Sequence, residues 1–132
     1  MKAQLVAVAR AARAHSYSPY SHFAVGAALL CADGSIVSGC NVENASYGLT
    51  ICAERNAVFQ AVAQGKRDFQ ALAVVGSGST PVWPCGACLQ VLAEFAPTLT
   101  LYIGSAEGEE IITTTVQALL PAQFSLAKEE QP

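Results

Sequence analysis

With 132 residues, 52% of them apolar and 13% charged, the sequence holds material for one domain over residues 1–132 and too little for two cores. Seven basic against ten acidic side chains give a formal charge of −3 with no basic stripe interleaved with aromatics, which argues against a nucleic-acid polymer as partner, since such binding rests on neutralising many phosphates. No apolar run approaches the roughly 20 residues that span a bilayer, and residues 1–14, interrupted by Arg10 and Arg13, lack the apolar block of a secretory signal, so a cytoplasmic protein with no membrane partner is expected.

Leu5, Val8, Ala9 and Ala12 recur at helical spacing in an alanine-rich setting and predict a first helix over residues 2–14. Residues 16–23, with Pro19, break it. Residues 23–31 and 35–41 are apolar-rich runs joined by Ala32-Asp33-Gly34, the composition of a hairpin turn, and are expected as adjacent antiparallel strands. Residues 41–50 are polar, contain Gly48 and read as an ordered loop. From Cys52 onward, Ala53, Ala57, Val58, Ala61 and Val62 keep helical spacing until Gly65, which suits a helix closed by a glycine.

Residues 71–75 are a continuous apolar run, a buried strand candidate, with flexible punctuation over 76–81. Pro84 is expected at the first position of a third helix carrying Cys85, Cys88, Val91 and Leu92 toward Pro97. A strand over 99–103, a turn over 105–109, a short strand over 111–113 and a terminal helix over 115–120 capped by Thr115 follow, and the tail 127–132 is expected to fray. A hairpin followed by alternating helices and strands predicts an α/β fold: a three-layer α/β/α sandwich around a mixed sheet of about five strands.

Five cysteines leave one unpaired in any disulfide scheme, and without secretory features the run Cys85-Gly86-Ala87-Cys88 reads as metal binding or redox chemistry. Alone, this pair suits a redox couple or half of a structural zinc site equally well. Cys52-Ala53-Glu54 at the second helix start supplies a third sulfur, which a redox pair does not explain. Helix N-termini favour thiolate over thiol, and three protein ligands around zinc leave a fourth position open for water, the mark of a catalytic site. Glu54, two residues after a ligand, meets the metal only if the site lies over the helix end, as a proton carrier rather than a ligand. Arg55, three residues beyond Cys52, is placed to donate to a sulfur and offset the excess negative charge. Cys31 and Cys40 read as small apolar strand residues, and His15 and His22, lacking partners at metal spacing, as loop histidines.

These features match the all-cysteine form of the zinc deaminase signature, in which a separate Glu accompanies a P-C-x-x-C run. With Asn41-Val42-Glu43-Asn44, Cys52-Ala53-Glu54-Arg55 and Pro84-Cys85-Gly86-Ala87-Cys88, the chain resembles the small homotetrameric cytidine deaminases, from about Ser18-Pro19-Tyr20-Ser21 to Leu119-Leu120-Pro121. The resemblance implies one zinc ion on Cys52, Cys85 and Cys88, Glu54 as proton shuttle, and hydrolysis of the amino group of cytidine or deoxycytidine. It also implies that Asn41 and Glu43 hold the ribose hydroxyls and that Phe23 packs at the nucleoside. In the implied homotetramer, neighbouring copies complete each site through Phe124 and the loop with Ala45 and Tyr47. Leu89 departs from the pattern, since many relatives carry arginine after the second cysteine of the pair; Trp83 is a less familiar neighbour that either lines the pocket or packs at an interface. Read alone, Glu43 fits a turn cap, Phe23 plain core, and Phe124 a core plug or an intersubunit contact. Two other functions fit the same residues: deamination of an aminated pyrimidine antibiotic or modified nucleoside, and a zinc-stapled binding protein or thiol sensor with a closed four-ligand site.

Overall fold

A computed structural model describes residues 1–126. Strands β1 (Val25–Cys31), β2 (Ile36–Cys40), β3 (Phe69–Gly76), β4 (Thr100–Ser105) and β5 (Ile112–Thr115) form one sheet in the order β2-β1-β3-β4-β5. β1 runs antiparallel to β2 and β3, β3 parallel to β4, and β4 antiparallel to β5, so the sheet is mixed, as expected. The hairpin between β1 and β2 turns at Gly34, whose φ of +89° is one that L side chains rarely adopt.

Helices cover both faces. Ala28 and Leu30 of β1 point to one side, where α1 (Lys2–Ala12) buries Leu5, Val6 and Ala9 against them and against Ala71, Ala73 and Val75 of β3. Ala27, Leu29 and Cys31 point to the other, where α2 (Ala53–Ala63) and α3 (Gly86–Phe95) close a larger core with Leu72, Val74, Leu101 and Ile103. The period of two along β1, apolar on both sides, is that of a strand sandwiched between layers. The architecture is therefore the expected α/β/α sandwich. Close helix approach depends on a missing side chain: a Cβ at Gly39 of β2 would lie 2.5 Å from Ala57 N and 2.6 Å from Ala53 O. Gly39 thus sets how low the first turn of α2 sits on the sheet.

Each of α2 and α3 precedes one of the parallel strands β3 and β4. Both helices therefore run back against those strands, and their N-termini meet at the carboxyl ends of β3 and β4, where open α/β sheets place ligands.

The structure differs from the sequence reading mainly at element ends. α1 stops at Ala12 and tightens into a 3-10 turn over Arg13–His15. β1 begins at Val25 rather than at residue 23, and β3 runs from Phe69 to Gly76, beyond residues 71–75 on both sides. Pro84 is not the first helical residue: Cys85 is the N-cap, with φ −76° and ψ 166°, and α3 starts at Gly86. An extended N-cap carries its side chain over the free N–H groups of the first turn, which a helical Cys85 would not do. The last helix, α4 (Val116–Leu119), is capped as expected, the Thr115 hydroxyl accepting from Ala118 N at 3.2 Å. The expectation for the tail 127–132 lies outside the described residues. Among the described residues no helix is long and apolar enough to cross a membrane.

Candidate functional site

Two helix starts build the site. Cys52 is the N-cap of α2 as Cys85 is of α3, both with extended backbones and neither side chain capping its own helix. Cys88, three residues into the same turn, is fully buried. The Sγ atoms of Cys52 and Cys85 lie 3.8 Å apart and those of Cys85 and Cys88 3.5 Å, with all three within 4.8 Å of one another. Tetrahedral coordination at a Zn–S length of about 2.3 Å places sulfurs about 3.8 Å apart. The trio therefore fits one zinc ion with little movement, and three protein donors leave a fourth position open. His15 and His22 belong to no such cluster among the described residues.

The electrostatics favour anionic sulfur. A hydrogen bond from the Cys88 thiol, then donation from the Arg55 guanidinium and a bond with Cys85, pull Cys52 down to about 5 against the opposing effect of burial. Arg55 Nη2 lies 3.3 Å from Cys52 Sγ, the contact that its place three residues along the helix predicts. The Cys88 thiol is driven up, first as the donor to Cys52 and then by burial and by Glu54. Arg55 is held above the ordinary arginine value by the Cys52 sulfur; its Nε is buried with no hydrogen-bond partner among the described residues. Leu89 points away from this chemistry: it is buried in the core beneath α3. The charge of the trio is therefore met by Arg55 and by the two helix N-termini.

Glu54 occupies the second position of α2 and is 4% exposed. Burial, reinforced by the like charge of Cys52, pushes its carboxyl up to about 7. A carboxyl with that proton affinity exchanges protons readily at neutral pH, as general acid–base work requires. It lines a cavity of ≈ 200 Å³ together with Cys52, Cys85, Phe23, Asn41 and Trp83. This cavity lies over the start of α2, where Cys52 is the N-cap.

Asn41 is 8% exposed and its orientation is fixed by backbone groups. Val25 N donates to Asn41 Oδ1 at 2.9 Å, the Ser16 hydroxyl donates to the same oxygen, and Asn41 Nδ2 donates to Phe23 O at 2.9 Å. The oxygen is thereby saturated, and the amide has one N–H left to offer. Glu43 lies beyond Thr50, which lines both the first cavity and an adjoining one of ≈ 380 Å³ with Tyr20, Ser21, Glu43, Asn44 and Tyr47. Its Oε1 accepts from Tyr20 N at 3.0 Å and Ser21 N at 3.1 Å and its Oε2 from the Ser21 hydroxyl, so Glu43 caps the Tyr20–Ser21 turn. The Ser21 hydroxyl, then the two backbone amides, hold it below the usual carboxylate value.

The Phe23 ring is half-buried, and a Cβ at Gly76 would sit 2.8 Å from it, so the absence of a side chain at the end of β3 makes room for this cavity wall. Trp83 lines the same cavity and is 56% exposed, so the interface alternative stays open beside it. Ala45, Tyr47 and Phe124 do not line the cavity that holds Glu54, and Tyr47 borders only the adjoining one with Glu43; Ala45 is exposed, Tyr47 is 76% and Phe124 70% exposed. Phe124 is therefore no core plug. Its backbone is docked on α3 by Gln90, whose Nε2 donates to Phe124 O at 2.9 Å and whose Oε1 accepts from Phe124 N at 3.3 Å.

Sequence reasoning missed Thr50 and Val82, which line the cavity, and Ser16, which orients Asn41. It missed Ser21 as the donor to Glu43 as well, and of these four only Ser21 carried a signal, as part of the run Ser18-Pro19-Tyr20-Ser21.

Comparison with known proteins agrees with this geometry. The family model for the cytidine and deoxycytidylate deaminase zinc-binding region matches residues 1–104. A cytidine deaminase of Halalkalibacterium halodurans is 53% identical over 122 residues, 92% of each chain, and one of Sporosarcina psychrophila is 52% identical over 123 residues, 92% of this chain and 90% of that one. The crystal structure of cytidine deaminase from Burkholderia pseudomallei superposes with a TM-score of 0.90 at 48% identity, covering 94% of this chain and 99% of that one.

Proposed function

The chain belongs to the family of cytidine and deoxycytidylate deaminases with a zinc-binding region, and from that premise we infer that it catalyses the zinc-dependent hydrolysis of cytidine and deoxycytidine to uridine and deoxyuridine, releasing ammonia. The observation that carries this reading is the trio of sulfurs at zinc-ligand spacing with a buried, high-pKa carboxyl sharing their cavity.

Cys52, Cys85 and Cys88 hold the zinc ion in this reading, and the ion when bound supplies the Lewis acidity that makes water nucleophilic near neutral pH. Glu54 does the proton work. As water adds to C4 of the base, Glu54 takes one of its protons and delivers it to N3; a second transfer to the exocyclic nitrogen lets ammonia depart, and the C4 oxygen remains as the carbonyl of uridine. Phe23 and Trp83 supply the apolar walls for the base. Asn41 donates its free N–H to a sugar hydroxyl. Glu43, with three of its roughly four acceptor sites used within the chain, has one left for a sugar hydroxyl. Its charge disfavours a phosphate there, hence a nucleoside rather than a nucleotide.

The reading includes a homotetramer in which Ala45, Tyr47 and Phe124 complete the site of a neighbouring copy. Their exposure, and their absence from the lining of the cavity that holds Glu54, support it. Residues 1–132 act as one catalytic domain in the cytoplasm. Incubating purified, zinc-loaded protein with cytidine is the test: equal yields of uridine and ammonia are expected, and negligible turnover overturns the assignment.

A further inference from the structure

Phe23 and Ala24 lie just before β1, where the sheet ladder has not begun, yet Phe23 and Val25, on either side of Ala24, line the nucleoside cavity. Something other than strand pairing must hold them. Arg13, which leaves α1 on the opposite face of the sheet, reaches this segment with both arms of its guanidinium. Its Nε donates to Ala24 O and its Nη2 to Ser77 Oγ, each at 2.9 Å. The Ser77 hydroxyl also accepts from Ala24 N at 3.0 Å. Both backbone groups of Ala24 are thus tied to the Arg13–Ser77 pair, while the flanking Phe23 O and Val25 N are both tied to Asn41. Ser77 in turn follows Gly76, on which the Phe23 ring rests.

We propose that Arg13 is a positioning residue for nucleoside binding, holding Phe23 and Asn41 in their binding geometry through Ala24 and Ser77. The proposal rests on the reading above that Phe23 and Asn41 face the nucleoside. The guanidinium suits the task because its rigid fork makes two charge-assisted bonds at once, which a lysine ammonium at the same distance does not reproduce. The segment it holds touches the substrate away from C4, so its loss weakens ground state and transition state alike: KM rises and kcat stays.

The test compares zinc-loaded wild type, Arg13→Ala, Arg13→Lys and Ser77→Ala for zinc per chain, kcat and KM with cytidine, and the calorimetric Kd for uridine, the product. Arg13→Ala is expected to raise both KM and the uridine Kd by about tenfold, the size of one lost charged hydrogen bond, with kcat within about twofold and zinc content unchanged. Arg13→Lys and Ser77→Ala shift KM in the same direction by less, and carry the test if Arg13→Ala does not fold. Unchanged KM and Kd in the folded variants overturn the proposal, as does a fall in kcat that follows zinc loss. An active wild type with unmoved variants refutes the role of Arg13 alone; an inactive wild type refutes the deaminase reading and this proposal with it.

Discussion

Replacing Glu54 by glutamine separates its proton chemistry from its packing. The amide has the shape of the carboxyl and keeps the buried position, but it neither accepts nor returns a proton at any pH of interest. A positioned proton carrier contributes roughly 10²–10⁴ in rate, so kcat is expected to fall by at least about a hundredfold with zinc still bound at one ion per chain. The structure supplies a second, independent magnitude. In the metal-free protein burial raises the carboxyl from 4.5 to about 7, a difference worth roughly 3 kcal/mol once the group is ionised. Between those two pH values the folded chain keeps a proton that the unfolded chain has released, so wild-type stability falls as pH rises through the window. The glutamine variant has no such slope. Urea unfolding of chelated protein should therefore show Glu54→Gln the more stable above neutral pH and nearly equal to wild type at acid pH. Full activity in Glu54→Gln would refute the proton-carrier role, and parallel pH profiles would refute the burial argument.

Arg55→Ala removes the donor to Cys52 and leaves the sulfurs less able to stay anionic; zinc affinity or activity should fall by about 10–100-fold, read by competition against a chromogenic chelator. Gly39→Ala places a Cβ 2.5 Å from Ala57 N, which lifts the first turn of α2 and should cost about 1–3 kcal/mol in urea unfolding, with weaker zinc binding as the accompanying sign that Cys52 has moved. Glu43 is held below 4.5, first by the Ser21 hydroxyl, so its contribution to stability is present above that pH and is lost as pH falls through the lowered folded value. Ser21→Ala should flatten this acid-side loss in a series of thermal melts.

The metal trio was legible because its information is local. Two cysteines three apart at a helix start converge on one ion in whatever fold carries them, and Cys52-Ala53-Glu54 marks its own helix start. The layers were legible because β1 and β3 are apolar on both faces and the helices carry alanine-rich stripes. The supports of the substrate wall were not legible. Arg13 and Ser77 stand 64 positions apart and meet only after α1 and β3 have packed on β1, and neither residue carries a motif. The start of α3 was misplaced because proline is welcome both at the first helical position and just before an N-cap, and helical spacing does not tell these apart. Phe124 stayed ambiguous because an aromatic near a chain end suits a core and an interface equally; its exposure in the structure removes the first reading.

Under the proposed function, three sulfurs from two helix starts hold a zinc ion on which deamination depends. Chelating the purified protein until its zinc is removed, then restoring zinc stepwise while following loss of the cytidine absorbance, measures this directly. Negligible turnover is expected without metal, with recovery that saturates at about one zinc per chain, the stoichiometry of a single three-sulfur site. Metal-free protein that deaminates cytidine at the full rate would contradict it.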